Sequence, residues 1–197
     1  MAVDPVELRS VLVLGADGFI GRPIAICLRA GGLHVVAHAR NPARLANMGF
    51  DTLAADLTDP ASHVADFWRA TLSGGTWVVN VAGVLTGTET AFRAVPVDAP
   101  AAVYAARDPG AHAVLISAVG IDADTPFARW RRAGEVTART AGATILRPGL
   151  VMGETSYGGT SLARALAALP LATPVIGAGD QRFNPIHAAD LAEIVLR

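Results

Sequence analysis

The residues best placed to do chemistry are three glycines, Gly15, Gly18 and Gly21, at the end of a hydrophobic run in SVLVLGADGFIG, residues 10–21. Gly15 lets a strand turn sharply. Gly18 has no side chain to keep a pyrophosphate from the backbone, and Gly21 lets a following helix pack closely on the sheet. Asp17, Phe19 and Ile20 share this loop. A helix opening there offers unpaired N–H groups and a positive dipole end to phosphates. The spacing alone also fits a strand–helix turn that binds nothing. What favours a nucleotide is the context: a strand before, a helix after and a second strand about 20 residues on.

That second strand ends His38-Ala39-Arg40, and no acid occurs between Asp17 and Asp51. An Asp or Glu at this place would accept the hydroxyls of an adenosine ribose. A guanidinium cannot accept them, but it pairs well with a 2′-phosphate. The pattern favours NADP(H) over NAD(H), with Arg40 on the phosphate. His38 is either a further donor or a partly buried structural histidine.

Composition narrows the field. The net charge of −1 argues against a nucleic-acid partner. The lone Cys27 excludes an intramolecular disulfide and a cysteine metal cage, and no metal site is expected. The hydrophobic fraction of 52% is high, yet no run of about 18 residues lacks a charge or a breaker, so no membrane span is expected. The opening MAVDPVELRS lacks the basic and apolar regions of a secretory signal, leaving the cytoplasm as the default compartment. A homo-oligomer stays open. Trp68, Trp77 and Trp130 read as core or interface aromatics rather than ligand stackers.

Around the loop the chain alternates. Short, Val/Ile/Leu-rich strands are expected at 11–14, 34–39, 52–54, 77–80, 113–117 and 144–146. Helices are expected at 19–30, 42–48, 61–72, 100–106 and 127–140. Gly31-Gly32 closes the first helix and Asn41-Pro42 opens the second. Right-handed crossovers then give an α/β, doubly wound parallel sheet in the order 3-2-1-4-5-6. After Pro148, glycines and prolines punctuate an irregular C-terminal part, with short helices at 161–169 and from Ala188.

Five segments in order resemble the short-chain dehydrogenase/reductase superfamily, in its extended or atypical form: GADGFIG at 15–21, DLTD at 56–59, NVAGV at 80–84, ISAVGID at 116–122 and LRPGLVMG at 146–153. A sixth, RFNPIHAADLAEIV at 182–195, is similar to the element by which NAD-dependent epimerase/dehydratase-like proteins return to the sheet. The run at 156–170 resembles relatives of the nucleotide-binding accessory subunit of respiratory complex I. The resemblance implies one NAD(P)-binding Rossmann domain over 1–197, with 148–187 a partial substrate-side region. It makes the end at Arg197 early, as in a shortened chain or one with a small substrate lobe. By the same resemblance Asp56 and Leu57 border the adenine, and the 80–83 segment, with Val81, Ala82 and Gly83, passes beneath the ribose and pyrophosphate. Pro148, Gly149 and Leu150 match the backbone that holds the nicotinamide amide.

The resemblance also exposes a departure. The family uses a Ser and a Tyr-x-x-x-Lys, whose phenol moves the proton while the ammonium lowers its pKa and holds the ribose. Ser117 fits the serine. Aligned on Gly134-Glu135, however, the tyrosine falls on Phe127 and the lysine on Arg131. Phenylalanine has no proton to give, and arginine keeps a ribose contact without a phenol to activate. Tyr157 and His187 are the substitute acids, against readings as a half-buried aromatic and a backbone-bonded histidine. Asp190 and Glu193 read as solvated or capping charges. Two functions follow: an oxidoreductase with a non-standard donor acting on an unread small molecule, or a non-catalytic dinucleotide-binding module.

Overall fold

The structure, a computed structural model, describes residues 9–156, 158–170, 172, 174–175, 177–180 and 182–197. Strand β1 (Ser10–Leu14) is buried from Val11 to Leu14 on both sides, as the centre of a parallel sheet requires. It pairs in parallel with β2 (His34–Ala39) on one side and β4 (Trp77–Asn80) on the other. Strands β3 (Asp51–Ala54), β5 (Ala113–Ile116) and β6 (Thr144–Leu146) complete a six-stranded sheet, ordered β3-β2-β1-β4-β5-β6. This is the expected doubly wound order. Its switch point lies between β1 and β4, where crevices for ligands open at the strands' carboxyl ends.

Helices cover both faces. On one lie α1 (Gly21–Ala30), α2 (Ala43–Asn47) and α8 (Ala188–Leu196), packing Ile24, Leu28, Leu45 and Leu191 against Val11, Val13 and Val79. On the other lie α3 (Ala65–Leu72), α5 (Ala99–Ala106) and α6 (Pro126–Thr140), packing Trp68, Leu72, Val103 and Ala138 against Leu12, Leu14 and Leu115. Successive β1 side chains thus serve two separate cores, the consequence of a period of two.

Three elements depart from expectation. The helix expected at 100–106 is the end of a longer helical run, α4 (Glu89–Arg93), a π-turn at Ala94–Asp98, then α5. Thr88 caps its start, its Oγ1 accepting from the Ala91 amide at 3.2 Å. Pro96 has no N–H for an i→i−4 bond, and the wider π-turn accommodates it. The helix expected at 61–72 divides into a 3₁₀ turn at Pro60–His63, capped by Asp59, and α3, because Val64 between them is extended. Finally, the tail does not rejoin the main sheet. Strand β7 (Leu150–Met152) pairs in parallel with β8 (Pro185–His187) as a separate two-stranded sheet before α8 lies on α1. The remaining helix, α7 (Gly159–Ala167), is exposed apart from two half-buried residues.

Candidate functional site

The glycine loop is shaped by close approach. Gly15 is left-handed, with φ 76°, and a Cβ there would meet the Ala82 backbone at 3.0 Å. A Cβ on Gly21 would sit 2.1 Å from the Gly15 carbonyl oxygen, so the start of α1 folds directly onto the turn. That start is two residues later than expected, because residues 18–20 form the turn itself. Gly18 is exposed, and a Cβ there would touch only the Gly15 oxygen, at 3.2 Å. Among the described residues the amides of Phe19 and Ile20 carry no hydrogen bond. Open space at Gly18 beside free amides at a helix N-terminus is an arrangement that can hold an anion.

Beside the loop, the ends of the strands frame a cleft of about 530 Å³, lined by Gly15 and Asp17 from the loop, His38 from β2, Arg40 just past its end, and Asp56, Leu57 and Thr58 beyond β3. Arg40 is exposed. The Asp56 carboxylate is already engaged, accepting from the Thr58 amide and hydroxyl, each at 2.8 Å. Those bonds, aided by the nearby Arg40 guanidinium, hold its pKa below the usual range. His38 is 2% exposed, and burial lowers its pKa to about 4. Leu57 is buried in the core with only its edge on the cleft.

The far wall follows β4. The Val81 amide continues the ladder to the Leu14 carbonyl at 3.0 Å, and Asn80 Oδ1 accepts from the Ala82 amide at 3.1 Å. Buried Asn80 also donates to the Tyr104 hydroxyl at 3.3 Å, so the turn into Gly83 is fixed from below. Residues 84–88, with Ala91 and Val95, close the cleft. They escaped the sequence reading; the polar Thr86-Gly87-Thr88 run after a strand was the available signal.

Beyond Gly83 lies α6. The Arg131 guanidinium donates weakly to the Ile116 carbonyl, at 3.4 Å, and sits 5.5 Å above the Phe127 ring. A Cβ on Gly83 would fall 2.7 Å from Arg131 Nη2. Phe127, Arg131 and Gly83 therefore meet at the ends of β4 and β5. Ser117 directly follows Ile116, whose carbonyl Arg131 meets. Its Oγ is buried with no hydrogen-bond partner among the described residues, though near enough to Glu135 to help hold that carboxyl low. Glu135 is itself gripped by Arg147, Nε to Oε1 at 2.8 Å and Nη2 to Oε2 at 2.5 Å.

In the tail, Gly149 is pressed on the returning chain, where a Cβ would lie 1.9 Å from the Asn184 oxygen, and the Leu150 amide donates to that oxygen at 3.1 Å. The Pro148 carbonyl accepts from Val119 at 3.1 Å. His187 caps α8, its Nδ1 accepting from the Ala189 amide at 3.2 Å. It lines a second cavity of about 450 Å³ between α1 and α8, shared with Phe19, Arg22, Cys27 and Glu193 but with none of Ser117, Phe127 or Arg131. Tyr157 lies outside the described residues. Trp68 is core, donating to the Ser62 carbonyl at 2.7 Å. Among the described residues no cluster of His, Cys, Asp or Glu could hold a metal ion, and no helix is long and apolar enough to cross a membrane.

No protein-family model matches the chain, and no curated protein matches it. Solved structures do. MoeE5 in complex with UDP-glucose and NAD is 22% identical with a TM-score of 0.72, over 95% of this chain and 70% of that one. The human epimerase family protein SDR39U1 (isoform 2) with NADPH is 24% identical with a TM-score of 0.66, over 94% and 68%. A putative NAD-dependent epimerase/dehydratase from Bacillus halodurans is 19% identical with a TM-score of 0.67, over 95% and 86%. With the sheet order and the glycine turn already in place, the chain shares the Rossmann-like α/β fold of these proteins.

Proposed function

We propose that the chain is an NADP(H)-binding, atypical short-chain dehydrogenase/reductase. The observation that carries this reading is the cleft beside the glycine loop: Gly15 and Asp17 of the loop line it together with Arg40, no acid stands at the end of β2, and open space at Gly18 with free amides at Phe19 and Ile20 lies in the same turn. The residues fit the group: a side chain at Gly15 would strain the turn, and one at Gly18 would fill the cradle. Arg40 would pair with the 2′-phosphate, Asp56 and Leu57 would border the adenine, and Val81, Ala82 and Gly83 would underlie the ribose. Arg131 would reach the second ribose past Gly83, and Pro148, Gly149 and Leu150 would meet the nicotinamide amide. When bound, the nicotinamide supplies or accepts a hydride.

One observation favours the second reading, a dinucleotide-binding module without turnover. Phe127 has no proton, and the Ser117 hydroxyl is buried towards Glu135 rather than lining the cleft. Calorimetric titration tests the binding claim. NADPH should bind about 10-fold or more tighter than NADH, the scale of one charge-assisted contact, and Arg40→Ala should erase the difference. Equal affinities in the wild type would defeat the NADP(H) preference. NADPH consumption with a panel of aldehydes, ketones and quinones separates enzyme from module. Little or no turnover is expected, with activity appearing in a Phe127→Tyr, Arg131→Lys variant by up to about 10²-fold, the lower end for a general acid.

A further inference from the structure

The amide of Gly15 poses an accounting problem. It follows the last strand residue, its φ is positive, and the strand ladder gives it no carbonyl. The residue is half-buried, and an N–H turned from water without a partner is costly, so an acceptor is expected. The partner is a side chain: the Gly15 amide donates to His38 Nδ1 at 3.2 Å. The next amide, Ala16, donates to the main-chain carbonyl of the same residue at 2.9 Å. Two consecutive loop amides therefore end on His38. The other ring nitrogen, Nε2, lies 3.2 Å from the Ala55 carbonyl. A carbonyl only accepts, so Nε2 carries the proton and Nδ1 is the bare acceptor.

This imidazole ties together the two ends of the cleft. Gly15 begins the phosphate cradle, and Ala55 directly precedes Asp56 on the adenosine side. The ring is wedged in place, 2% exposed, with the Trp68 indole of α3 tilted against it at 5.9 Å. The charges that act on it come from the cleft rim, Asp17 on the glycine loop and Asp56 after β3, and Arg40, just past the end of β2, acts on Asp56. An apolar residue at 38 would fill the space yet leave the Gly15 amide unpaired.

We propose that His38, as its neutral Nε2–H tautomer, is the positioning residue of the dinucleotide cleft, fixing the glycine turn against the end of β3. The ligand part rests on the dinucleotide reading; the loop part does not. Burial agrees with a ring that stays neutral, holding its pKa at about 4.

The test uses the whole chain and the variants His38→Leu, which removes both side-chain bonds, and His38→Gln, which can supply an acceptor and a donor. Long-range ¹H–¹⁵N spectra should show Nε2 protonated and Nδ1 bare, with no titration between pH 7 and 5. Amide exchange at Gly15 should quicken about 10-fold or more in His38→Leu, the scale of one lost hydrogen bond, while Leu12 stays protected. NADPH affinity should fall by a similar factor in His38→Leu and return to within about 3-fold in His38→Gln. An Nδ1–H tautomer, titration near the ordinary histidine pKa, or unchanged Gly15 exchange in His38→Leu overturns the proposal. So does unchanged NADPH affinity in that variant. If wild type binds neither NADPH nor NADH, the dinucleotide reading falls, and exchange with the ring spectra still decides the loop role. If His38→Leu does not fold, the wild-type spectra and His38→Gln decide.

Discussion

At the scale of single residues, neighbouring glycines in one motif have separable duties. A methyl on Gly21 would collide with a backbone oxygen at 2.1 Å, and backbone on both sides leaves nothing flexible to yield. Gly21→Ala should destabilise the fold by roughly 1–3 kcal/mol or more, as overpacking does, measured by urea denaturation. Gly18 meets only one oxygen at 3.2 Å on an exposed turn, so Gly18→Val should keep most of the stability and lose NADPH binding. A folded Gly18→Val protein with full affinity would remove the loop from the binding role. His38 gives a pH dependence. Its folded pKa of about 4 lies below the unfolded 6.5, so the unfolded chain takes up the proton first. Stability contributed by the neutral ring is complete above about 6.5 and falls as pH drops towards 4, by about 3 kcal/mol in all. Denaturation at pH 7 and pH 5 should show about half of that loss, and His38→Gln should show less of it.

At the scale of elements, α6 joins packing to the site. A Cβ on Gly134 would lie 2.7 Å from the Pro96 carbonyl oxygen, so the helix rests on the π-turn at its glycine. One turn towards its N-terminus, Arg131 reaches Ile116 and Gly83. Gly134→Ala should push α6 off the π-turn, costing roughly 1–3 kcal/mol and moving Arg131 with it. Thermal denaturation reads the first effect, and weakened NADPH binding with unchanged loop residues reads the second. The next residue, Glu135, anchors the same helix to Arg147 beyond β6, and that pairing holds its carboxyl below the usual range. Its contribution is present above the unfolded carboxylate pKa and is lost as pH falls through the lower folded value. Arg147→Ala, which leaves the buried carboxylate only the looser Arg139 at 3.7 Å, should therefore destabilise at neutral pH and less so in acid.

For the whole molecule, both shifts act in the same sense, so acid should weaken the fold, first through the histidine and then through the carboxylate. A ligand that binds only the folded chain opposes this by mass action. NADPH at 100 times its Kd should add about 2.7 kcal/mol of stability, raising the melting temperature more than NADH at the same concentration. Equal shifts for the two dinucleotides would argue that Arg40 does not discriminate.

The strand order and the glycine turn were legible in the residues because both rest on local rules. A buried parallel strand must be apolar on both faces, and a strand–helix turn at this spacing needs glycine where a Cβ would strike backbone. The helical run through Pro96 was not legible, since proline reads as a stop unless a neighbour supports a wider turn, and Gly134 supplies that support from 38 positions away. The tail was half legible: α8 from its pattern, but not the pairing of β7 with β8, which depends on Gly149 lying against Asn184. Arg40 was readable as a charge at a strand end. The cap made by His187 is local, to an amide two positions on, whereas the tautomer of His38 and the burial of Ser117 were decided by tertiary structure. The tautomer depends on which distant backbone groups lie within about 3 Å of the ring, the reach of a hydrogen bond, and the burial on what packs over the hydroxyl. Sequence spacing determines which side chains share an element; only packing determines what they meet.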